Sequence, residues 1–509
     1  MSAAPVVRDG SSRWRSRVAL ACFCVTMTLI GIGGRSLTYA DETRVVGIAR
    51  EMAIESEYAL PRLNGAPYLE YPSLGYLPLV ALFRLGAAPN DFLALLPSAL
   101  AALATLFLTY RMGCMIGGEL AGLASALALQ CTFGFLVLHT RALVDPLLVA
   151  WITASLTGFL AAAAAPRLRA GGMALFHVGL AGGFLTKGLL GIAIPVAVAG
   201  CFLIAARRAR EIPRLALHPT LALLLLPIAI WQVGVWAAGG SELAAEVWRQ
   251  SARRFASSGA DHAAPFTFYF DRLLYLLIPG VVLLPWLLWD ALAPRRRQLV
   301  RERSALDRFP AVWFGVVLAG LSLASAKRNL YLGPIYPGFA LMLGTWWARA
   351  QVEPPRARAW HRLVAAVPRR APLALALYGL GYLGYSAAFE YPDSAAHDPA
   401  PLFADVALQR RDAGGRIVLV NPRESMLGAA VYYLGETFPV AWDEHWLDTA
   451  DASPGAYLLV GHAQFLDPLV ARVDAAQAEI LATHDLAGEP YRIARVRLGG
   501  AGEHRVRKP

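Results

Sequence analysis

Residues 172–206 read GMALFHVGLAGGFLTKGLLGIAIPVAVAGCFLIAA, and Arg207, Arg208 and Arg210 follow at once. The stretch is two apolar runs, 172–186 and 188–206, joined at Lys187. Crossing ~30 Å of hydrocarbon takes ~20 apolar residues as a helix. The pair therefore reads as two successive membrane helices with one lysine in the turn between them. An ionisable side chain at such a place is costly and is a functional candidate by default.

The rest of the chain agrees with this class. Of 509 residues, 57% are hydrophobic and 45 more are glycine. Only 16% are charged, against ~25% in soluble domains. Mean hydropathy is +0.46. These values exclude a disordered chain and an ordinary soluble enzyme. Lys+Arg is 47 and Asp+Glu 36, a net charge of +11. Three of the basic residues are lysines, at 187, 327 and 508. The arginine excess fits a GC-rich coding sequence. No basic run is interleaved with stacking aromatics, so no nucleic-acid partner is expected. Cys22, Cys24, Cys114, Cys131 and Cys201 lie in or beside apolar runs and match no metal spacing; they read as small apolar residues.

Topology follows from the arginines. A basic N-terminus precedes an apolar run at 17–34, read as a retained first helix rather than a cleaved signal. Further apolar runs cover about 73–86, 92–112, 118–138, 146–165, 172–186, 188–206, 215–237, 271–293, 309–326, 331–348 and 371–388. Arg167/Arg169, Arg207–Arg210, Arg295–Arg303 and Arg356–Arg362 fall on alternate loops. By the positive-inside rule these loops and the N-terminus are cytoplasmic. The expectation is a polytopic α-helical membrane protein of 11–13 transmembrane helices. Its membrane domain covers 1–389, with periplasmic loops at 35–72 and 238–270. One parity problem remains. Loop 35–72 and Asp145 both belong outside, yet three apolar runs separate them. The run 73–86 is the weak one, at about 14 residues or ~21 Å.

Residues 390–509 are richer in charge. Strand-like runs at Arg416–Val420, Ala456–Val460 and Tyr491–Leu498 flank a helix-like stretch at Ser425–Leu434. The expectation is a small C-terminal α/β domain on the periplasmic face. Its role is open between a lid and a partner surface.

The informative charges gather on the outer side. Asp41-Glu42-Thr43-Arg44 opens a short helix at 43–52, where its dipole favours acids. Pro61 to Pro72 carries Tyr68, Glu70 and Tyr71 at the lip of an apolar segment. Arg141-Ala-Leu-Val-Asp145-Pro146 opens a long apolar helix, with Asp145 placed as its N-cap. Lys187, Lys327 and Arg328 with Tyr331, and Arg254 in the loop 238–270, are cations on the side the positive-inside rule disfavours. Such cations need local anions. Together they describe an outer pocket with carboxylates on one wall and cations on the other. Carboxylates serve as general base or hold a divalent metal. Clustered Lys and Arg stabilise a phosphate as it departs. At a lipid lip, that phosphate belongs to a lipid carrier. No phosphate-binding glycine fingerprint or His-Glu-x-x-His is present.

These residues resemble the lipid-phosphate-sugar-dependent GT-C glycosyltransferases, the superfamily of aminoarabinose transferases and protein O-mannosyltransferases. The likeness covers about 35–350. It rests on Asp41–Arg44 with Arg50-Glu51-Met52, on Pro61–Pro72, on Leu96-Pro97-Ser98-Ala99-Leu100, on Arg141–Asp145, on Lys187-Gly188, and on Lys327–Tyr331 with Pro334. The resemblance implies an inverting transfer of a sugar from a polyprenyl phosphate to a lipid A, other glycan or protein acceptor, at the periplasmic face of a bacterial inner membrane. It implies Asp41 and Asp145 as catalytic acidic residues. Lys187, Arg254, Lys327, Arg328 and Tyr331 would bind the donor phosphate. Glu42, Arg44, Tyr68 and Tyr71 fall to the acceptor or its loop. Glu70 is the residue for a divalent metal ion.

Two departures stand out. The aminoarabinose branch has Glu-Lys-Pro where this chain has Glu70-Tyr71-Pro72. That branch also has a histidine shortly before its Arg-Phe pair; here Gln250 and Ser251 stand there, and His262 lies after it. Both weaken the metal site and the aminoarabinose substrate. Three alternatives follow: a flippase for a lipid-linked sugar, a protein O-mannosyltransferase-like enzyme, and an inactive scaffold. Against the flippase, the charges sit at one face rather than the midplane, and no internal repeat is visible.

Overall fold

The computed structural model describes residues 10–32, 34–38, 40–165, 169–256, 264–285, 287–288, 305–325, 327–352, 373–448, 454–474 and 476–498. The chain forms two compact units. The first holds Met1–Gly33, Glu70–Gly75 and Leu95–Gly384; the second holds Gly34–Leu69, Tyr76–Ala94 and Tyr385–Pro509. The second unit thus contains the expected 390–509 segment and also takes most of the loop 35–72.

The first unit is a bundle of apolar helices. Among the described residues, Asp91–Gln130, Asp145–Ala163, Pro219–Gln250 and Leu306–Leu323 are long and apolar enough to cross a membrane. Two of the helical segments are hairpins. Asp91–Gln130 breaks at Gly117 and Gly118, the latter at φ +78°. A Cβ on Gly113 would lie 2.7 Å from the Gly122 Cα, so the two legs run back along one another. Ala222–Ala256 breaks likewise at Gly240, φ +75°. There the Trp248 indole N–H donates to Gln232 Oε1 at 2.9 Å, although 16 residues separate them. Only glycine takes such positive φ values at little cost. The second leg carries the chain in helical form to Ala256, so the expected loop 238–270 begins as a helix.

The structure bears on the parity problem through the run 73–86. The run 73–86 is one 3₁₀ turn, Ser73–Gly75, and an eight-residue helix, Leu77–Arg84. That helix rises ~12 Å and is too short to cross. Two candidate crossings remain between residues 72 and 145, an even number.

Helices Asp145–Ala163 and Ala170–Lys187 pack at backbone distance through small residues. A Cβ on Gly158 would meet the Phe176 N at 2.5 Å, and one on Gly179 the Ser155 N at 2.5 Å. Such small-residue seams drive helix pairing where lipid offers no hydrophobic gain. Phe159, Phe202, Phe309 and Trp313 fill the adjoining core with edge-on and stacked rings. At one end of these helices, Arg208 donates to the carbonyls of Ala163 (2.6 Å) and Ala165 (3.1 Å), and Arg308 to Ala205 (2.9 Å). Cations favour helix C-termini. Arginines that read as orientation signals alone therefore also cap helix ends.

The second unit is α/β. Strands β1 (Arg62–Leu63) and β2 (Ala66–Pro67) form a hairpin on Asn64 and Gly65, both at positive φ, as a type I′ turn requires. The Asn64 side chain accepts from the Phe438 N–H (2.7 Å) and donates to its carbonyl (2.8 Å). Strands β3 (Arg416–Val420), β4 (Val440–Ala441), β5 (Gly455–His462), β6 (Ala478–Leu486) and β7 (Glu489–Leu498) form one sheet, ordered β4-β3-β5-β7-β6. Pairs β3/β4 and β3/β5 are parallel; β5/β7 and β6/β7 are antiparallel. The three expected strands and the expected helix, found at Glu424–Leu434, are present. Strands β4 and β6 escaped notice because β4 has two residues and β6 is an edge with weak alternation. Helix Ala40–Glu55 crosses helix Glu424–Leu434 where a Cβ on Gly47 would lie 2.4 Å from the Gly428 carbonyl oxygen.

Candidate active site

In the first unit, the turn Ser73–Gly75 seats against the entrances of two helices. A Cβ on Gly75 would lie 2.7 Å from Val144 Cγ1 and 3.4 Å from the Thr186 carbonyl oxygen. This close approach brings Tyr71, Asp145 and Lys187 together. Lys187 Nζ donates to Asp145 Oδ1 at 2.6 Å, with side chains 5% and 9% exposed. The same ammonium lies 5.1 Å from the Tyr71 ring centroid and 5.2 Å from that of Tyr331. Tyr331 is carried by the 3₁₀ turn Asn329–Leu332, whose Tyr331 N–H donates to the Arg328 carbonyl.

Helix electrostatics hold the pair. Asp145 lies in the first turn of Asp145–Ala163, and Lys187 in the last turn of Ala170–Lys187. Each charge faces the helix end that favours its sign. Lys187 then turns the chain through Gly188, at φ +69°. The N-cap expected at Asp145 is not formed: Val144 is the capping residue, without a side-chain cap bond, and the Asp145 carboxylate goes to Lys187 instead. Ser98 Oγ steadies the preceding loop through the Leu143 carbonyl at 3.3 Å.

Asp145, Lys187 and Tyr331 line a narrow cleft whose other walls are Leu148, Val149, Leu190, Ile194, Leu321 and Pro334. The cleft is tight, about 10 Å³, room for roughly one water molecule, and sets a buried ammonium among apolar walls. A more open groove inside the hairpin Ala222–Ala256, lined by Gln232, Trp236 and Trp248, holds no ionisable group.

Lys327 does different work. Its Nζ donates to the Ala264 carbonyl at 2.8 Å and to the Ala324 carbonyl that ends helix Phe309–Leu323. Two of its three N–H groups are therefore engaged with backbone, which leaves one for the phosphate expected there. The Arg328 carbonyl accepts from the Tyr269 hydroxyl at 3.4 Å. The Arg254 side chain and His262 lie outside the described residues.

Asp41, Glu42, Arg44 and Tyr68 belong to the second unit. Asp41 and Glu42 open helix Ala40–Glu55. Glu42 is bound bidentately by Arg35, at 2.6 and 2.7 Å, with side chains 0% and 4% exposed. It also accepts from the Thr38 N–H at 3.3 Å. Glu42 thus anchors the start of its helix, the loop side of the acceptor-or-loop expectation. Arg44 pairs with Asp41 one turn back and with Glu424 at 2.7 Å, and its guanidinium lies 5.4 Å from the Tyr68 ring centroid. Arg35 and Glu424 were missed in the sequence. Arg35 could have been found, because the argument that singled out Lys187, a cation on the disfavoured side, applies to it equally.

Among the described residues, no group of three or more His, Cys, Asp and Glu gathers that would hold a metal ion. Glu70 has no such companions among the described residues.

Comparison with known proteins agrees with this architecture. Residues 75–233 match the family model described as dolichyl-phosphate-mannose-protein mannosyltransferase. The undecaprenyl phosphate-alpha-4-amino-4-deoxy-L-arabinose arabinosyl transferase 1 of Pseudomonas fluorescens is 29% identical over 336 residues, 65% of this chain and 57% of that protein. The corresponding transferase of Edwardsiella ictaluri is 28% identical over 344 residues, 66% of this chain and 60% of that protein. The match thus spans about three-fifths of these relatives' length. Among solved structures, ArnT from Cupriavidus metallidurans bound to undecaprenyl phosphate superposes with a TM-score of 0.74 at 18% identity, over 94% of this chain and 97% of that one. The Archaeoglobus fulgidus oligosaccharyltransferase AglB superposes with a TM-score of 0.52 at 12% identity, over 89% and 70%. In fold and in matched sequence, the chain is similar to the lipid-phosphate-sugar-dependent glycosyltransferases of GT-C type.

Proposed function

We propose that the protein moves a sugar from a polyprenyl-phosphate donor to an acceptor at the outer face of a bacterial inner membrane, with inversion at the anomeric carbon. The observation that carries the reading is Lys187, a buried ammonium held by Asp145 between the faces of Tyr71 and Tyr331 in an apolar-walled cleft. The relatives named above, transferases acting on an undecaprenyl phosphate sugar, support the donor class.

The donor is a phosphodiester with one negative charge. The acceptor oxygen attacks the anomeric carbon from the side opposite the phosphate. The carbon–oxygen bond to phosphate breaks, and the lipid leaves as a phosphate monoester whose charge has grown. Lys187 stabilises that added charge, and electrostatic help of this kind is commonly the largest catalytic contribution. Asp145 keeps the ammonium in place. Asp41 takes the acceptor's proton, and Arg44 fixes Asp41. The acceptor is a lipid A, another glycan or a protein. The family model that matches 75–233 favours protein O-mannosyl-type transfer as a second reading. A metal at Glu70 would need ligands beyond the described residues.

The test is transfer of radiolabelled sugar from a polyprenyl phosphate by purified protein in vesicles. A new glycosidic bond is expected. Asp41→Asn should lower turnover by about 10²–10⁴, the usual worth of a general base, with expression unchanged. Lipid crossing the bilayer without any bond formed would establish the flippase instead.

A further inference from the structure

The C-terminal segment carried no readable function, yet it meets the helix that bears Asp41. We propose that Glu424 is a positioning residue for the Asp41 carboxylate, acting through Arg44. This rests on the assignment of Asp41 above.

The Arg44 guanidinium is a planar fork. One arm, Nη2, pairs with Asp41 Oδ1, and the other, Nη1, with Glu424 Oε2 at 2.7 Å. The Tyr68 ring lies against the guanidinium, 5.4 Å from ring centroid to Cζ. Arginine is suited to this because its donors are rigidly spaced. Both partner helices are fixed in register. Gly47 and Gly428 touch backbone to backbone, and the Gly428 Cβ position would lie 2.7 Å from the Arg44 Cα. Glu424 stands in the first turn of helix Glu424–Leu434, where the helix dipole favours its charge.

The consequence is directional. With Glu424 on Nη1, Arg44 reaches Asp41 through Nη2. Without Glu424, both arms turn to Asp41. A carboxylate gripped bidentately is a poorer proton acceptor. The α/β segment is thereby part of the catalytic apparatus, although it contributes no group to the reacting atoms. Glu424 is 57% exposed at its side chain, so replacing it leaves no buried gap.

The experiment is a double-mutant cycle in the transfer assay with E424Q, E424D, D41N and E424Q/D41N, together with thermal unfolding of each. E424Q should lower kcat about 10-fold, the scale of one hydrogen bond to a charged group. The donor KM and the unfolding temperature should stay unchanged, and E424D should recover most of the loss. In D41N, adding E424Q should cost nothing more, because Glu424 acts only through Asp41. An additive loss in the double variant, or a loss that tracks the unfolding temperature, overturns the proposal. So does full kcat in E424Q while D41N has collapsed. Full turnover in D41N overturns the assignment of Asp41 itself and this proposal with it.

Discussion

The Lys187 ammonium lies 2.6 Å from the Asp145 carboxylate, and both side chains are more than nine-tenths buried. Forty-two residues separate them, and each begins or ends its own helix. A buried pair of this kind is weak evidence for net stability, but breaking it is costly. Asp145→Ala strands a buried ammonium and should destabilise the protein by roughly 3–5 kcal/mol. The double replacement Asp145→Leu with Lys187→Met should recover most of that loss while abolishing transfer. Thermal unfolding in detergent, set beside the transfer assay, checks both. A double variant no more stable than Asp145→Ala would show that the pair is not the cause.

The two tyrosines act through their ring faces. Tyr71→Phe and Tyr331→Phe keep a face 5 Å or so from the ammonium and should change binding of undecaprenyl phosphate little. Tyr71→Ala and Tyr331→Ala remove it and should weaken that binding by about 0.5–2 kcal/mol each, the range of a cation–π contact. Titration of the lipid phosphate into purified protein measures this without an acceptor. Equal losses in the Phe and Ala variants would point to the hydroxyls instead.

Glu51 supplies a pH dependence. It is 2% exposed, and its Oε1 accepts the Gly65 N–H at 2.8 Å, holding the β1–β2 turn. Burial pushes its carboxyl above the ordinary 4.5, and the Gly65 and Asn64 backbone pull the other way. A raised carboxyl means that the folded state binds its proton more tightly than the unfolded chain. Its contribution to stability is therefore fully present below the ordinary value and is lost as pH rises through the raised one. Glu51→Gln keeps the acceptor and removes the charge. The variant should be more stable than the parent at neutral pH, and the two should converge as pH falls into the ordinary carboxylate range. Unfolding temperatures across that interval are the measurement; a variant less stable at neutral pH would contradict the sign.

Gly47 and Gly428 admit no side chain. A Cβ on Gly428 would lie 2.4 Å from the Thr43 carbonyl oxygen, and one on Gly47 the same distance from the Gly428 oxygen. Backbone atoms cannot step aside as a flexible side chain would. Gly428→Ala should therefore cost about 1–3 kcal/mol by overpacking and should lower turnover through Arg44. An exposed helix glycine changed to alanine, by contrast, stabilises by ~1 kcal/mol. A neutral Gly428→Ala would mean that the two helices are free to part.

Much of the fold was legible because lipid imposes its own pattern. Long apolar runs with sparse charge leave few alternatives, and the α/β segment announced itself by β-rich runs between polar stretches. The apolar run 73–86, singled out as short for a crossing, is apolar for a local reason. Its residues are apolar because they pack in the second unit as a short helix, with Leu79, Val80 and Phe83 buried. The break near Gly118 was legible as the gap between runs 92–112 and 118–138, whereas the turn at Gly240 was not, since a glycine gives no sign of its φ.

The sequence alone determined the class of protein and the short roster of costly charges, since both follow from the price of ions in hydrocarbon. Tertiary structure alone decided the partners. Asp145 reads as a helix cap by its own neighbours until Lys187 is brought against it, and nothing near Glu42 in the sequence names Arg35 as its partner. Glu424 stands 380 residues from Arg44, at a distance where no spacing rule operates. Desolvation makes each buried charge demand a counter-charge, but which one arrives depends on how the helices pack.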